Sequence, residues 1–165
     1  MPYLMIAASL FTTDSIIKFW IERKKKDGEE TPMANGKIVI KKYHNKGAMF
    51  DMGNKNQHNI AMLSLVFSAF MTGIFTATLE KQDKRLLKTG LAFIIGGAYS
   101  NTYDRLKRKY VVDYVSFHIN TEKCRQKIVQ KLAEKWNGVV FNLSDFGIFA
   151  GALILTLCTG AHEES

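Results

Sequence analysis

The feature that most constrains this chain is an uncharged run of 20 residues at 60–79, IAMLSLVFSAFMTGIFTATL. As a helix rising 1.5 Å per residue it would cover about 30 Å, the thickness of a bilayer's hydrocarbon core. Residues 2–17, 89–103 and 139–161 are also poor in charge, whereas the stretches ERKKKDGEE, KIVIKKYHNK and RLKRKY are strongly charged and mostly basic. The mean hydropathy near zero is therefore an average of membrane segments and charged loops. The pattern predicts a mainly α membrane protein, a single integral membrane domain over residues 1–165. Its four transmembrane helices fall at approximately 2–21, 58–79, 86–103 and 139–161, with extramembrane loops 22–57 and 104–138.

Both loops carry local signals. In the first, Asn35-Gly36 is a tight-turn pair and Ile38-Val39-Ile40 is β-rich, which predicts a small strand or hairpin at the membrane surface. In the second, Ile128, Leu132 and Trp136 recur every four residues, with Val129 and Ala133 beside them and basic residues opposite. This is the pattern of a basic amphipathic helix lying on the membrane interface, capped by Asn120 or Thr121 and ended at Gly138.

The net charge of +8 sits in these loops, where it suits lipid headgroups better than nucleic acid, since no nucleic-acid motif accompanies it. Eighteen of the 23 Lys and Arg fall on the side of the two large loops, so the positive-inside rule alone would place those loops in the cytoplasm. Cys124 and Cys158 are too few for a disulfide framework and lack a CxxC spacing. The N-terminal stretch lacks a basic n-region and is interrupted by Asp14 and Lys18, unlike a cleaved signal peptide.

The polar residues within apolar sequence are the candidates for chemistry. Asp14 and Lys18 are four apart and share a helical face, where an internal ion pair is the simplest reading. Asp104 and Arg105 suit an interfacial salt bridge at the end of the third span. Gly96, Gly97, Ala98 and Ser100 give that span a small-residue face for close packing. Asp113 in YVVDYVSF and Asp145 in FNLSDFGIFAGALILTLCTG have no adjacent cation, and a carboxylate inside a span costs about 2.5–3.5 kcal/mol on insertion scales. Two such carboxyls brought together share a proton, which is the working state of an aspartic protease dyad. A proton-coupled transporter or a structural polar network would use the same residue types.

Taken together, DSIIK, NKGAMF, GGAYSNTYDR, VVDY and FNLSD resemble, in order, the motifs of the lipoprotein signal peptidase (signal peptidase II) family. The resemblance covers most of the chain. It implies a catalytic dyad of Asp113 and Asp145, a substrate pocket lined by Asn45, Asn101, Arg105 and Asn142, and supporting roles for Asp14, Lys18 and Asp104. It also implies a bacterial inner-membrane, multi-pass, monomeric enzyme with no metal or cofactor. The implied substrate is a prolipoprotein whose lipid-modified cysteine follows the cut, and the active site and a small β-region are extracytoplasmic, against the charge count. The chain departs from the family pattern at Ser15, Ser100 and Ser144, and Lys109 stands where a Gly normally precedes VVD. The stretch between Asp113 and Phe141 is longer than usual. These departures leave open a non-catalytic protein of the same fold that binds lipidated peptides.

Overall fold

The computed structural model describes residues 2–47, 56–81, 84–119 and 127–160. Its elements in chain order are α1 (Pro2–Lys24), β1 (Glu30–Met33), β2 (Ile38–Asn45), α2 (Gln57–Leu79), α3 (Arg85–Arg108), β3 (Val111–Phe117), α4 (Lys127–Asn137), β4 (Val140–Phe141) and α5 (Leu143–Gly160). Helices α1 and α2 are long and apolar enough to cross a membrane, and α5 is apolar over Leu143–Cys158. Their outer faces carry exposed Met5, Leu63, Val66, Phe70, Leu153 and Leu157. A soluble protein would cover so much apolar surface.

Helix α3 is the hub, packing on α1, α2 and α5. Its glycines make this approach possible. A Cβ on Gly97 would lie 2.5 Å from the Ser144 carbonyl oxygen of α5, and one on Gly96 would lie 2.6 Å from that of Ala7 in α1. Backbones this close gain dispersion contacts that larger residues would prevent. The interior divides along the helices. One half is apolar, built on Met71, Phe75, Leu91, Ile94 and Ile95. The other holds buried Asp14, Lys18, Asn101, Asp104, Asn142 and Ser144 beneath the sheet.

The four strands form an antiparallel sheet in the order β1-β2-β3-β4. The β1–β2 hairpin turns through Ala34, Asn35 and Gly36, all at positive φ, as the Asn-Gly pair predicts. Between β2 and β3 the register shifts: Ile40 pairs with Val115 but Tyr43 with Asp113. Two residues, Lys41 and Lys42, thus oppose Tyr114 alone, a β-bulge. In a regular ladder Asn45 would point to the opposite face from Asp113. The bulge brings the two onto one face.

Several boundaries differ from expectation. The third helix runs past residue 103 to Arg108, so Asp104 and Arg105 lie in its last turns and not in a loop. The fourth helix starts at Leu143 and not at 139, because Val140–Phe141 pairs with β3 as β4. The sheet therefore draws on both loops. Helix α4 matches the amphipathic pattern, with Ile128, Leu132 and Trp136 exposed and Ala133 buried. Its expected caps Asn120 and Thr121, and Cys124, lie outside the described residues.

Lys109 ends α3 at φ 70°, in the left-handed region, with its N–H bonded to the Arg105 carbonyl. This is the position at which a glycine is cheapest. Lys109→Gly should raise stability by about 0.5–1 kcal/mol, after the larger chain entropy of glycine is discounted. Thermal unfolding in detergent micelles would report it. A lower midpoint would mean that the Lys109 Nζ bond to the Leu106 carbonyl, 3.2 Å, outweighs the backbone gain.

Candidate active site

The start of α5 is built from a reciprocal cap. The Asp145 N–H donates to Asn142 Oδ1 at 2.9 Å, and the Asn142 N–H donates to Asp145 Oδ2 at 3.0 Å. This is a capping box in Asn-x-x-Asp form, and it satisfies two donors that a helix start otherwise leaves unpaired. It holds the Asp145 carboxylate against the helix terminus. The other oxygen, Oδ1, accepts from Asn101 Nδ2 of α3 at 2.9 Å.

Asp113 sits mid-strand in β3. Its Oδ2 accepts from Asn45 Nδ2 at 3.0 Å, the diagonal neighbour supplied by the bulge. Its Oδ1 accepts from Asn142 Nδ2 at 2.6 Å. Asn142 therefore bonds both aspartates, one through its side-chain amide and the other through the cap. Its Nδ2 also donates to Asn101 Oδ1 at 3.1 Å. Burial pushes the Asp113 carboxyl up to about 7, and nearby Asp145 adds to the rise. The amides of Asn45 and Asn142 oppose it by donating to the ionised form.

Behind this pair lies a buried charge network. Lys18 Nζ contacts Asp14 Oδ2 at 2.8 Å and Asp104 Oδ2 at 3.3 Å. It also donates to Asn101 Oδ1 at 2.8 Å and to Ser100 Oγ at 3.2 Å. The bond from Lys18 turns the Asn101 amide so that its Nδ2 faces Asp145. Asp104 accepts from the Val112 N–H at 3.2 Å, tying the end of α3 to β3.

Both aspartates line a cleft of about 250 Å³. Asn45, Asn101 and Arg105 share its polar side, while Phe67 of α2 and Ile148 and Phe149 of α5 form apolar walls. The Arg105 guanidinium donates from Nη2 to the Gly47 carbonyl at 3.3 Å, and its buried Nε has no protein partner. The site residues expected from sequence thus converge, with one difference. Asn142 is fully buried beneath the cleft, so its amide serves the aspartates and is not free to contact a peptide.

Sequence reasoning passed over three hydroxyls. In the sequence Ser144 stands out only as a departure, Ser100 as a departure and as part of a small-residue face, and Tyr114 not at all. In the fold, Ser100 Oγ, Ser144 Oγ and Tyr114 OH all donate to Asp14. The alternation of a strand was the available signal, since it turns Tyr114 away from the face of Asp113.

The family model described as "Signal peptidase (SPase) II" matches residues 6–160. The chain belongs to the signal peptidase II family of peptidases. It is similar to the lipoprotein signal peptidase of Moorella thermoacetica, 30% identical over 156 residues, covering 94% of this chain and 90% of the relative. That of Clostridium tetani is 26% identical over 144 residues, 87% of this chain and 83% of the relative. The fold is shared with a bacterial membrane enzyme solved by the in meso method at 2.3 Å resolution, with a TM-score of 0.76 at 16% identity. That alignment covers 96% of this chain and 87% of the other. A second such structure, at 1.9 Å resolution, gives a TM-score of 0.75 over 96% and 92%.

The role of Asn142 can be checked directly. Asn142→Ala removes a donor to ionised Asp113, so the Asp113 carboxyl should titrate still higher than burial already places it. It should also lower stability by about 1 kcal/mol through the lost cap. Infrared difference spectra in the carboxyl region would follow the titration, and an unchanged midpoint would show that the 2.6 Å bond does not act on Asp113.

Proposed function

We propose that the chain is an aspartic endopeptidase that removes signal peptides from prolipoproteins bearing a lipid-modified cysteine. The observation that carries this reading is the pair of aspartates joined through one buried amide, Asn142, at the wall of a cleft that is polar on one side and apolar on the other.

The division of labour follows from the surroundings. In this reading Asp113, whose carboxyl burial pushes up to about 7, holds the proton, and Asp145 at the helix start is the carboxylate that accepts one. A water between them gives a proton to Asp145 as its oxygen attacks the scissile carbonyl carbon. Asp113 gives its proton to the oxygen that gains charge. Collapse of the tetrahedral diol breaks the C–N bond: the proton on Asp145 passes to the leaving amine, and one hydroxyl of the diol returns its proton to Asp113 as the carboxylic acid product forms, which restores the pair. The unpartnered Nε of Arg105 is placed to bond a peptide carbonyl, while Phe67, Ile148 and Phe149 suit the acyl chains of the modified cysteine.

In this reading α1, α2, α3 and α5 all span a bacterial inner membrane, and the protein is active as a monomer. The sheet and α4 lie at the extracytoplasmic surface. The ordered motifs favour that orientation although the loops are rich in Lys and Arg. Helix α4 would then rest its exposed Ile128, Leu132 and Trp136 on lipid.

Asp113→Asn and Asp145→Asn should each lower cleavage of a lipid-modified prolipoprotein by at least about 10²–10⁴-fold, the usual contribution of a general acid or base. A gel-shift assay with purified protein would measure this, together with membrane content to show that the variants still fold. Normal processing by either variant would refute the assignment. The pH dependence has a definite sign: the step requires protonated Asp113, so kcat should fall as pH rises through about 7. A rate constant that stays level between about pH 6 and 9 would remove Asp113 from the role of acid.

A further inference from the structure

We infer that Tyr114 and Ser144 are positioning residues, which act through Asp14 to set the placement of the two catalytic aspartates relative to each other. This inference rests on the aspartic dyad proposed above. Tyr114 follows Asp113 in the chain, and Ser144 precedes Asp145. Each aspartate is therefore about 3.8 Å, one Cα step, from a residue anchored to Asp14.

Asp14 is fully buried in α1 and touches no part of the cleft. Its Oδ1 accepts from Tyr114 OH at 2.9 Å, reaching β3. Its Oδ2 accepts from Ser144 Oγ at 2.5 Å, reaching α5, and from Ser100 Oγ at 2.6 Å, reaching α3. The Tyr114 oxygen also accepts from the Leu143 N–H at 2.9 Å, so the strand bearing one aspartate is bonded directly to the helix start bearing the other. Burial, and then Asp14, push the Tyr114 hydroxyl upward, which keeps it a donor.

Lys18 already offsets the charge of Asp14 at 2.8 Å. The hydroxyls are therefore not needed for neutralisation, and what they add is direction. A carboxylate has a fixed plane and two oxygens, and here each oxygen holds a different catalytic element. Tyr114 points to this anchor because side chains alternate across a strand, leaving Asp113 on the cleft side. Ser144 points to it because successive helix residues differ by about 100°, leaving Asp145 turned toward Asn101. Side chains held from behind in this way can keep the tolerance of about 0.5 Å that a catalytic pair needs.

The test uses the full-length protein in detergent with Tyr114→Phe, Ser144→Ala and the double variant. Displacement of reacting groups by about 1 Å costs up to about 10²-fold, so each single change should lower kcat by about 10-fold with KM unchanged. Asp113 is faced by Asp145 of α5, Lys18 of α1 and Arg105 of α3, and Asp145 is the one that raises it. If the hydroxyls hold the pair together, their loss separates the two carboxyls. The Asp113 titration, read by carboxyl infrared bands without substrate, should then move to lower pH. Ser144→Thr, which keeps the hydroxyl, should restore both readouts.

Unchanged kcat and an unchanged Asp113 titration would overturn the inference. So would a loss of activity matched by loss of folded protein, with normal kcat per folded molecule. The infrared readout needs no turnover. A shifted titration alongside active Asp113→Asn and Asp145→Asn variants would therefore sink the protease reading while leaving the positioning intact.

Discussion

The rest of the structure depends on one buried cation. Lys18 is 1% exposed, and its ammonium reaches Asp14, Asp104, Asn101 and Ser100 at 2.8–3.3 Å. An ammonium in such surroundings is tolerable only when paired and fully hydrogen-bonded, and deleting one partner of a buried pair costs about 3–5 kcal/mol. The bonds from Lys18 hold α1 against the polar half of α3. Through Asn101 they also set the direction of the amide that bonds Asp145. A requirement of electrostatics thus becomes a requirement of geometry. The helices can associate only in the arrangement that also assembles the cleft.

Neutral amides do the remaining work between the charged layer and the aspartates. Asn45, Asn101 and Asn142 each donate to a carboxyl oxygen of the pair. An arginine or lysine in those places would hold both carboxyls ionised. An aliphatic residue would leave them without donors in a site almost closed to water. The Asn45 and Asn142 amides donate to ionised Asp113 and so temper, without cancelling, the rise that burial and the repulsion of the two carboxyls impose. The same logic explains why the close glycine contacts of α3 matter: Gly97 lets α5 approach until Asn101 reaches Asp145.

Much of this was legible in the sequence, and the reasons for the remainder are physical. The 20-residue uncharged run at 60–79 predicts α2 almost to its ends, since bilayer thickness sets helix length directly. The Asn35-Gly36 pair predicts the hairpin, because few residues accept its φ values. The start of α5 was misplaced by hydropathy, which cannot separate the apolar Val140–Phe141 strand from the apolar helix that follows. The Asn142-x-x-Asp145 spacing carried the correct boundary, but its role as a cap was hidden by its role as a site motif. Asn45, Asp113 and Asp145 could be picked out as polar residues in suggestive settings. Their convergence could not, because it depends on a strand register and a helix packing that no local pattern encodes. The expected difficulty at Lys109 is present in the fold as a left-handed lysine.

The bulge at Lys41 and Lys42 also divides the hairpin into two parts with different freedom to vary. A residue gained or lost at the tip, around Ala34–Gly36, changes the reach of the hairpin and leaves the facing of Asn45 untouched. One lost from Lys41–Lys42 absorbs the bulge and keeps Asn45 opposite Val111, whereas one lost at His44, past the bulge, turns Asn45 away from its partner. The strand behaves like a reading frame with a single shift, upstream of which length is free and downstream of which parity must be kept. Variation in the outer hairpin can therefore reshape what this surface meets without disturbing the carboxyl pair beneath it.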